Sequence, residues 1–380
     1  MGISGQKVYD PDKLAGLILT LIALSGEFPM PQISRIPSTS AYKEKVLKSL
    51  KSEKLVRTYY RDGLRGLRLT AKAKRLLVRQ QPSWFSPLFT GDTATSTPKY
   101  SIVHRLRLHR MAEVLVSMLN AGVTVFPWGK PIVFTPELLA DIPYIDRTIY
   151  FSSREVKNIG LMANKIRNSR FTGLLLCESA IFVVYNTSAS QMKWEYKAEM
   201  RLKSFLEIEL CLHRLPGQFA GVKQSAIIFG ANMGCLLPLI GMDSDNRQSY
   251  FLSGEGFARF HYLTSDHYGD VVLQLLCEPD KRATLDSILS EGLSPPQPGL
   301  VIENDAMDGD SPVLFGYTCD MPRIKRFDNA LRIHGRTGTL YCFDFQEPAL
   351  RRLCGPNVEI QHIDFEAYER SVFHQPQETD

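Results

Sequence analysis

The chain has 380 residues, which is enough for two or three domains with a substantial core. Its hydrophobic content of 44% and charged content of 22% are those of an ordinary globular protein, which excludes wholesale disorder. Residues 1–110 carry 20 Lys and Arg against 7 Asp and Glu, whereas the remainder carries 25 against 33. The basic N-terminal part is therefore expected to face a polyanion, and the acidic remainder is not.

The seven cysteines favour reduced thiols. The first of them is Cys177, their number is odd, and none forms a C-x-x-C pair. Most stand in apolar runs, so core thiols are a better interpretation than disulfides or zinc ligands. No apolar run reaches transmembrane length, and the start MGISGQKVYD lacks the apolar core of a signal peptide. We expect a cytoplasmic protein that needs no membrane, cofactor or metal.

Residues 10–35 are predicted to form two helices. One apolar stripe at helical spacing defines the first, formed by Leu14, Leu17, Ile18, Leu21 and Ile22. Gly26 should end it. A short second helix is predicted from Met30 to Arg35, and Pro37 should break it.

A third helix and a hairpin are predicted next. The helix is capped by one of residues 38–40, runs to about Ser52 and turns Val46, Leu47 and Leu50 inward. A strand at 55–60, the hairpin signal Asp62-Gly63 extended by residues 64–66, a returning segment at 67–69 and a helix capped by Thr70 follow. This order predicts a winged helix-turn-helix over residues 1–80.

The same stretch is strongly basic. From Arg35 to Arg79 there are 14 Lys or Arg against 3 acids, which is typical of a nucleic-acid footprint. The third helix would enter the major groove of double-stranded DNA. The candidate DNA-binding residues are Ser40, Tyr42, Lys43, Lys45, Lys48, Arg57, Arg61, Arg65, Arg68, Lys72, Lys74 and Arg75. The alternatives are a winged helix used for protein contacts and a charge run that is only a solvated face.

Residues 81–98 are rich in Pro, Ser and Thr and are predicted to be a linker. One long amphipathic helix is predicted from Lys99 to Ala121, with an apolar face of Val103, Leu106, Met111, Leu115 and Leu119. His104 and His109 are five residues apart, which is the wrong spacing for a metal pair on one helix face. They are interpreted as polar or DNA-proximal. The basic run HRLRLHR could extend the DNA footprint, but a solvated face is the better interpretation.

The rest of the chain alternates strands and helices, which predicts an α/β domain with a mixed sheet over residues 99–294 and a C-terminal α/β extension over 311–372. The intervening stretch, 295–310, is rich in Pro, Gly and Asp and is predicted to be a loop. The strands are predicted at 148–151, 171–177, 180–185, 225–230, 250–252, 258–263, 313–319, 339–345 and 358–365, and the last seven residues as disordered.

One weak pattern suggests metal-dependent nuclease chemistry. Glu155 and Lys157 form a Glu-x-Lys sequence that follows an acid such as Asp146. In nuclease sites of this kind, carboxylates hold Mg²⁺ and a lysine stabilises the charge that develops at the phosphate. The pattern is common by chance, and exposed charges are the better interpretation. The sequence Ser152-Ser153-Arg154-Glu155 is equally typical of a helix cap.

The frame SRFTGLLLCESAIFVVYNTSASQMKWEYKAEMRLKSFLEIEL, behind a winged helix, resembles the replication-relaxation family of plasmids and integrated conjugative elements of Gram-positive bacteria. The resemblance covers about residues 10–290 by layout. It implies a second domain with a restriction-endonuclease-like, PD-(D/E)xK fold. Where the family has Pro-Asp-Gly, this chain has Phe171-Thr172-Gly173, and where it has Glu-x-Asp, this chain has residues 183–186, Val-Val-Tyr-Asn. The missing carboxylates imply a nuclease-like domain without catalysis.

The resemblance therefore implies a bacterial DNA-binding accessory protein of a plasmid or integrative mobile element, acting in replication, conjugative transfer or their regulation. Its expected partners are double-stranded DNA and a relaxase, replication or other mobile-element protein, and a homodimer is left open. Two alternatives remain. One is a metal-dependent nuclease that uses Glu155 and Lys157, and the other is a transcriptional regulator whose α/β domain senses a ligand or dimerises.

Overall fold

The computed structural model of the protein describes residues 9–90, 101–138, 141–166, 168–189, 195–240 and 256–373. The chain divides into two compact units, Met1–Lys130 (unit 1) and Pro131–Asp380 (unit 2). Within the described ranges, helices and three β-sheets alternate, which confirms the predicted mixed α/β class. Among these residues, the helices are too short or too polar to cross a lipid bilayer.

Unit 1 is mainly helical. Its elements are α1 (Leu14–Ser25), β1 (Phe28–Pro29), α2 (Gln32–Arg35), α3 (Ser40–Ser52), β2 (Val56–Arg61), β3 (Leu64–Leu69), α4 (Ala71–Gln80), α5 (Pro82–Phe89), α6 (Ile102–Asn120) and a short 3₁₀ turn, Pro127–Gly129. The three strands form a small antiparallel sheet in the order β1-β3-β2.

The predicted core positions of α1 and α3 are confirmed, except that Leu17 is only half-buried. Leu21 and Ile22 of α1 are buried, and so are Val46 and Leu50 of α3. Gly26 ends α1 with a φ of 84°, a left-handed conformation that glycine adopts at little cost, and its N–H donates to the carbonyl of Ile22. The helical spacing of the apolar residues thus places α1 and α3 with their apolar faces inward.

The hairpin is tighter than the sequence predicted. Asp62 and Gly63 both have positive φ, 51° and 75°, so these two residues alone make the turn. The return strand then begins at Leu64, and the expected extension through residue 66 is wrong because these residues pair with β2. Thr70 caps α4 as predicted, since its hydroxyl accepts a hydrogen bond from the Ala73 N–H.

Two predictions for residues 81–121 are corrected. Part of the expected linker is the helix α5, which begins at Pro82, and Pro fits the first turn of a helix because its missing N–H is not needed there. Residues 91–98 lie outside the described residues. In α6, Val103 is 70% exposed, so the predicted apolar face begins too early. The helix α6 also belongs to unit 1, whereas the sequence placed it at the start of the second domain.

Unit 2 contains two sheets and the helices that pack on them. Its elements are β4 (Ile149–Ser152), α7 (Ser153–Val156), a 3₁₀ segment (Gly160–Ile166), β5 (Gly173–Leu176), β6 (Ile181–Ser188), α8 (Tyr196–Phe205), a π-helical segment (Leu206–Arg214), α9 (Pro216–Phe219), β7 (Ser225–Gly230), a 3₁₀ turn (Met233–Cys235), α10 (Leu236–Leu239), β8 (Phe260–Thr264), α11 (His267–Cys277), α12 (Pro279–Leu289), β9 (Ala306–Asp308), β10 (Ser311–Phe315), α13 (Met321–Ile333), β11 (Gly338–Phe343), α14 (Glu347–Leu353), β12 (Val358–Ile363) and α15 (Phe365–Phe373).

The first sheet of unit 2 is mixed, with the order β4-β5-β6-β7-β8. The β4–β5 and β5–β6 pairs are antiparallel, and the β6–β7 and β7–β8 pairs are parallel. The strands β4, β6, β7 and β8 therefore all begin at one edge of the sheet, where β5 ends. The cavity discussed below lies at this edge.

The second sheet has the order β12-β11-β10-β9, with parallel pairs except at β9. Leu314 and Leu340 of this sheet belong to the same buried cluster as Leu174 and Val183 of the first sheet. Residues 311–372 are therefore packed into unit 2 rather than added to it as a separate extension.

The other strands predicted for the described part of unit 2 are met within a few residues, with one difference. The stretch 295–310 is not all loop, because Ala306–Asp308 pairs with β10 as an edge strand. The predicted strand at 250–252 and the disordered tail lie outside the described residues. All seven cysteines are free, and five of them are buried, as expected for core thiols.

Candidate nucleic-acid interface

The outer face of α3 is polar and basic. Tyr42, Lys45 and Lys48 are exposed there together with Ser40 at the first turn. Their exposure follows from helical spacing, because the apolar residues of α3 occupy the opposite face. The exposed side chains include hydroxyl and ammonium donors suited to phosphate oxygens or base edges.

The β2–β3 hairpin adds a second basic surface. Arg57 and Arg61 on β2 and Arg65 on β3 are all exposed. Arg65 lies directly opposite Tyr60, whose side chain is 69% exposed. Arg61 stands 3.5 Å from the Asp62 carboxylate, but both groups are more than half exposed, so this pair contributes little stability. The hairpin therefore displays guanidinium groups and an aromatic ring to solvent.

The three candidate residues on α4 have different environments. The Lys72 ammonium donates to the carbonyl of Glu53 at 2.9 Å while remaining exposed. The Lys74 ammonium lies 5.7 Å from the centre of the Phe89 ring, and burial together with the charges of Arg57 and Arg68 lowers its pKa. Arg75 is exposed. Lys72 and Arg75 are thus accessible to a ligand, whereas Lys74 is half-buried and packs near the Phe89 ring.

Lys43 does not belong to the exposed surface. Its side chain is only 6% exposed, and its ammonium donates to the carbonyls of Ser34 at 2.7 Å and Ile36 at 3.0 Å. Both carbonyls lie at the end of α2, where helix carbonyls lack partners within the helix. Lys43 therefore joins α3 to α2, and its predicted contact with DNA is replaced by a structural role.

Arg68 is also internal. It is 6% exposed and forms a buried ion pair with Glu27, with Nη2 at 2.6 Å and Nε at 2.8 Å from the carboxylate. Glu27 itself is fully buried. Because its guanidinium is buried and paired with Glu27, it is not available to phosphates. Arg68 is therefore no longer a candidate DNA-binding residue.

Glu27 is the centre of a buried charge cluster, which we define as Glu27, Arg68, Arg105 and His109. The carboxylate of Glu27 also accepts hydrogen bonds from Arg105 Nη2 at 2.6 Å and lies 2.9 Å from His109 Nε2. Burial alone would raise the pKa of Glu27, but the hydrogen bonds from His109, Arg105 and Arg68 outweigh it and hold the pKa at about 2. Glu27 is therefore ionised at neutral pH.

Arg105 connects this cluster to the hairpin. Its guanidinium donates to the carbonyls of Arg61 and Leu64, each at 2.8 Å, on either side of the hairpin turn. It also lies 4.6 Å from the centre of the Tyr59 ring, which Arg68 approaches to 3.8 Å. The cluster thus holds the turn end of the hairpin in place, next to the exposed Arg61 and Arg65.

The sequence interpretation missed this arrangement. The run HRLRLHR was interpreted as a solvated face, and His109 as polar or DNA-proximal, yet Arg105 is fully buried and His109 is 5% exposed. The one available signal was Glu27, a single acid between the apolar stripe of α1 and the buried strand β1. A buried carboxylate requires cationic partners, but the sequence does not identify them.

The nuclease candidates in unit 2 are not gathered into a site. The Glu155 carboxylate accepts from the Ser152 N–H at 2.7 Å, completing a capping box at the start of α7. The Asp146 carboxylate pairs with Arg147 at 3.1 Å on the surface. The Lys157 ammonium lies 5.3 Å from the centre of the Phe171 ring. Within the described ranges, acids, histidines and cysteines form no cluster of three that could hold a metal ion.

Comparisons with known proteins found no matching family model, no similar curated protein and no similar solved structure.

Proposed function

We propose that unit 1 is a winged helix-turn-helix that binds double-stranded DNA. In this proposal α2 and α3 form the helix-turn-helix, α3 is the recognition helix, and the β2–β3 hairpin is the wing. The order of the elements and the β1-β3-β2 sheet support the assignment.

The observation that carries the proposal is the division of the basic residues within unit 1. Lys45 and Lys48 on α3, and Arg57, Arg61 and Arg65 on the hairpin, are exposed. Lys43 and Arg68 are close to them in sequence but form internal contacts instead. A winged helix that binds duplex DNA needs exposed cations on its recognition helix and on its wing, because these cations contact the two phosphate backbones.

We further propose that unit 2 supports DNA binding without cutting DNA, in an accessory protein of a plasmid or integrative mobile element. The resemblance to the replication-relaxation family supports this role. At the two positions where that family has metal-binding acids, Thr172 and Asn186 are neutral, and both are buried. The Thr172 hydroxyl donates to the Val184 carbonyl at 2.9 Å, and the Asn186 side-chain oxygen accepts from the Ser188 N–H at 2.7 Å. Both groups therefore act in the local fold.

The test of DNA binding is the affinity of the full chain for a fluorescently labelled, mixed-sequence duplex over a series of salt concentrations. We expect Lys48→Ala and Arg65→Ala each to weaken binding and to lower the steepness of its salt dependence by about 1. The matched control is Arg352→Ala, which removes one exposed charge from unit 2. Equal affinity of the double variant and the unsubstituted chain would remove α3 and the hairpin from the model.

The accessory role has its own test. Supercoiled plasmid incubated with the protein and Mg²⁺ or Mn²⁺ should stay uncut. Cleavage that disappears in Glu155→Ala would contradict the role and establish the nuclease alternative.

A further inference from the structure

Unit 2 contains a cavity of about 460 Å³ that the proposed function does not use. It lies at the sheet edge where β6, β7 and β8 begin and β5 ends, between the β5–β6 connection and the junction of α11 with α12. Its volume is within the range of pockets that hold small molecules, roughly 300 to 1,000 Å³. Phe182 and Leu275 form part of an apolar wall.

Four cations line this cavity, against two acids, Asp146 and Glu178. The cations are Arg147, Lys223, Arg259 and Arg282. A cavity with this excess of positive charge favours a negatively charged occupant.

Three of these cations retain capacity for a ligand. Lys223 is exposed and forms no ion pair with the residues that the structure describes. Among the described residues, Arg259 forms an ion pair with Asp320 at 3.9 Å and Arg282 with Asp286 at 3.7 Å, and both distances are beyond hydrogen-bonding range. Their guanidinium groups can therefore donate to an incoming oxyanion, for which planar, forked donors are well suited.

His261 gives the cavity a further polar group. Its side chain is 1% exposed and lines the cavity, and Nδ1 lies 3.0 Å from the Thr318 carbonyl, so Nδ1–H donates there. Nε2 is then the acceptor of a neutral ring, and it is buried with no hydrogen-bond partner among the described residues. Burial also lowers the pKa of His261, which keeps the ring neutral. An unsatisfied buried acceptor is destabilising until a donor reaches it.

We propose that this cavity binds a small molecule that carries an oxyanion, phosphate or carboxylate, and a hydrogen-bond donor for His261. Lys223, Arg259 and Arg282 hold the oxyanion, and the apolar wall beside Phe182 takes the uncharged part. The proposal is independent of DNA binding, because all of these residues belong to unit 2.

Cys177 and Cys277 line the cavity, so the rate at which they are alkylated can report whether the cavity is occupied. The experiment treats the full chain with iodoacetamide and quantifies alkylation at each cysteine by mass spectrometry. It is repeated with inorganic pyrophosphate and with citrate, which represent the phosphate and the carboxylate source, and with sodium chloride at equal ionic strength. We expect at least one probe to slow alkylation of Cys177 and Cys277 several-fold. Cys235 and Cys354, which lie outside the cavity, should react at unchanged rates.

Variants separate this cavity from the basic surface of unit 1. Lys223→Ala and Arg282→Ala should each raise the concentration of probe needed for protection by roughly tenfold, the effect of losing one charge-assisted hydrogen bond. Lys197→Ala is the matched control, because it removes an exposed lysine of unit 2 that does not line the cavity. Lys48→Ala should also leave protection unchanged while weakening DNA binding.

Two results would overturn the proposal. One is the absence of saturable protection by both probes, and the other is protection that survives in the Lys223→Ala/Arg282→Ala double variant. Protection by pyrophosphate alone would identify the oxyanion as phosphate, and protection by citrate alone would identify it as carboxylate. DNA binding measured on the same samples tests the function of unit 1 separately.

Discussion

Replacing Glu27 by Gln removes the one acid of the buried charge cluster and leaves two arginines with a neutral partner. Glu27 and Arg105 are fully buried, and their closest atoms are 2.6 Å apart. Removing one partner of a buried ion pair typically costs about 3 to 5 kcal/mol, because the remaining charge is uncompensated. We therefore expect Glu27→Gln to lower the free energy of unfolding of unit 1 by roughly that amount.

The pKa of Glu27 gives a second measure of the same interaction. A fall from 4.5 to about 2 corresponds to about 3 kcal/mol of stabilisation. Because the pKa in the folded state is lowered, this stabilisation is present above pH 4.5 and is lost as the pH falls from there to about 2. Glu27→Gln cannot show this dependence. The difference in stability between the two proteins should therefore shrink over that pH range.

The assay is hydrogen exchange in increasing urea, followed on peptides from β2, β3 and α6, so that it reports on unit 1. Glu44→Gln is the matched control, since Glu44 is an exposed acid on α3, and its effect should stay within about 0.5 kcal/mol. Arg105→Met should destabilise unit 1 strongly alone but much less in the Glu27→Gln background, because the two residues interact directly. A loss below about 1 kcal/mol, or a loss that is the same at all pH values, would refute the reasoning.

Three further predictions concern the local fold. Lys43→Met should destabilise unit 1 by about 1 to 3 kcal/mol in urea unfolding, because the carbonyls of Ser34 and Ile36 lose their donor, whereas an effect on DNA affinity alone would contradict this role. Gly63→Ala should cost about 1 kcal/mol through its positive φ, with no steric clash, and an unchanged urea midpoint would show that the turn has another conformation. Burial raises the pKa of Glu199, so unit 2 should lose stability as the pH rises through that pKa, and Glu199→Gln should flatten this dependence in pH-dependent unfolding.

The sequence predicts the elements of unit 1 well because their signals are local. The apolar stripe of α1, the stop at Gly26 and the cap at Thr70 each depend on neighbours within one or two helical turns. The candidate surface is also partly predictable, since exposure on α3 follows from helical spacing. These features need no knowledge of what packs on the helix.

Whether an individual charged side chain is buried or exposed cannot be predicted in this way. Lys43 and Lys45 are two residues apart on one basic helix, yet one is buried and the other is exposed. Arg105 is buried and pairs with Glu27, which lies 78 positions away in sequence. Such pairings depend on which helix packs on which strand. The composition of a basic run therefore overestimates the cations available to a ligand.

The second unit shows the same limit at the level of elements. The edge strand Ala306–Asp308 lies in a stretch whose composition is typical of a loop, and it exists because β10 offers it a hydrogen-bonding partner. The cavity residues come from segments far apart, such as Lys223 and Arg282, which only the sheet brings together. No local pattern indicates either feature.

The central claim is that unit 1 binds duplex DNA through α3 and the hairpin. The most direct test is the slope of log affinity against log salt concentration, measured for the full chain and for the Lys48→Ala/Arg65→Ala variant. We expect a steep slope for the unsubstituted chain and a slope smaller by about 2 for the variant, with the Arg352→Ala control unchanged. Salt-independent binding, or identical slopes for all three proteins, would contradict it.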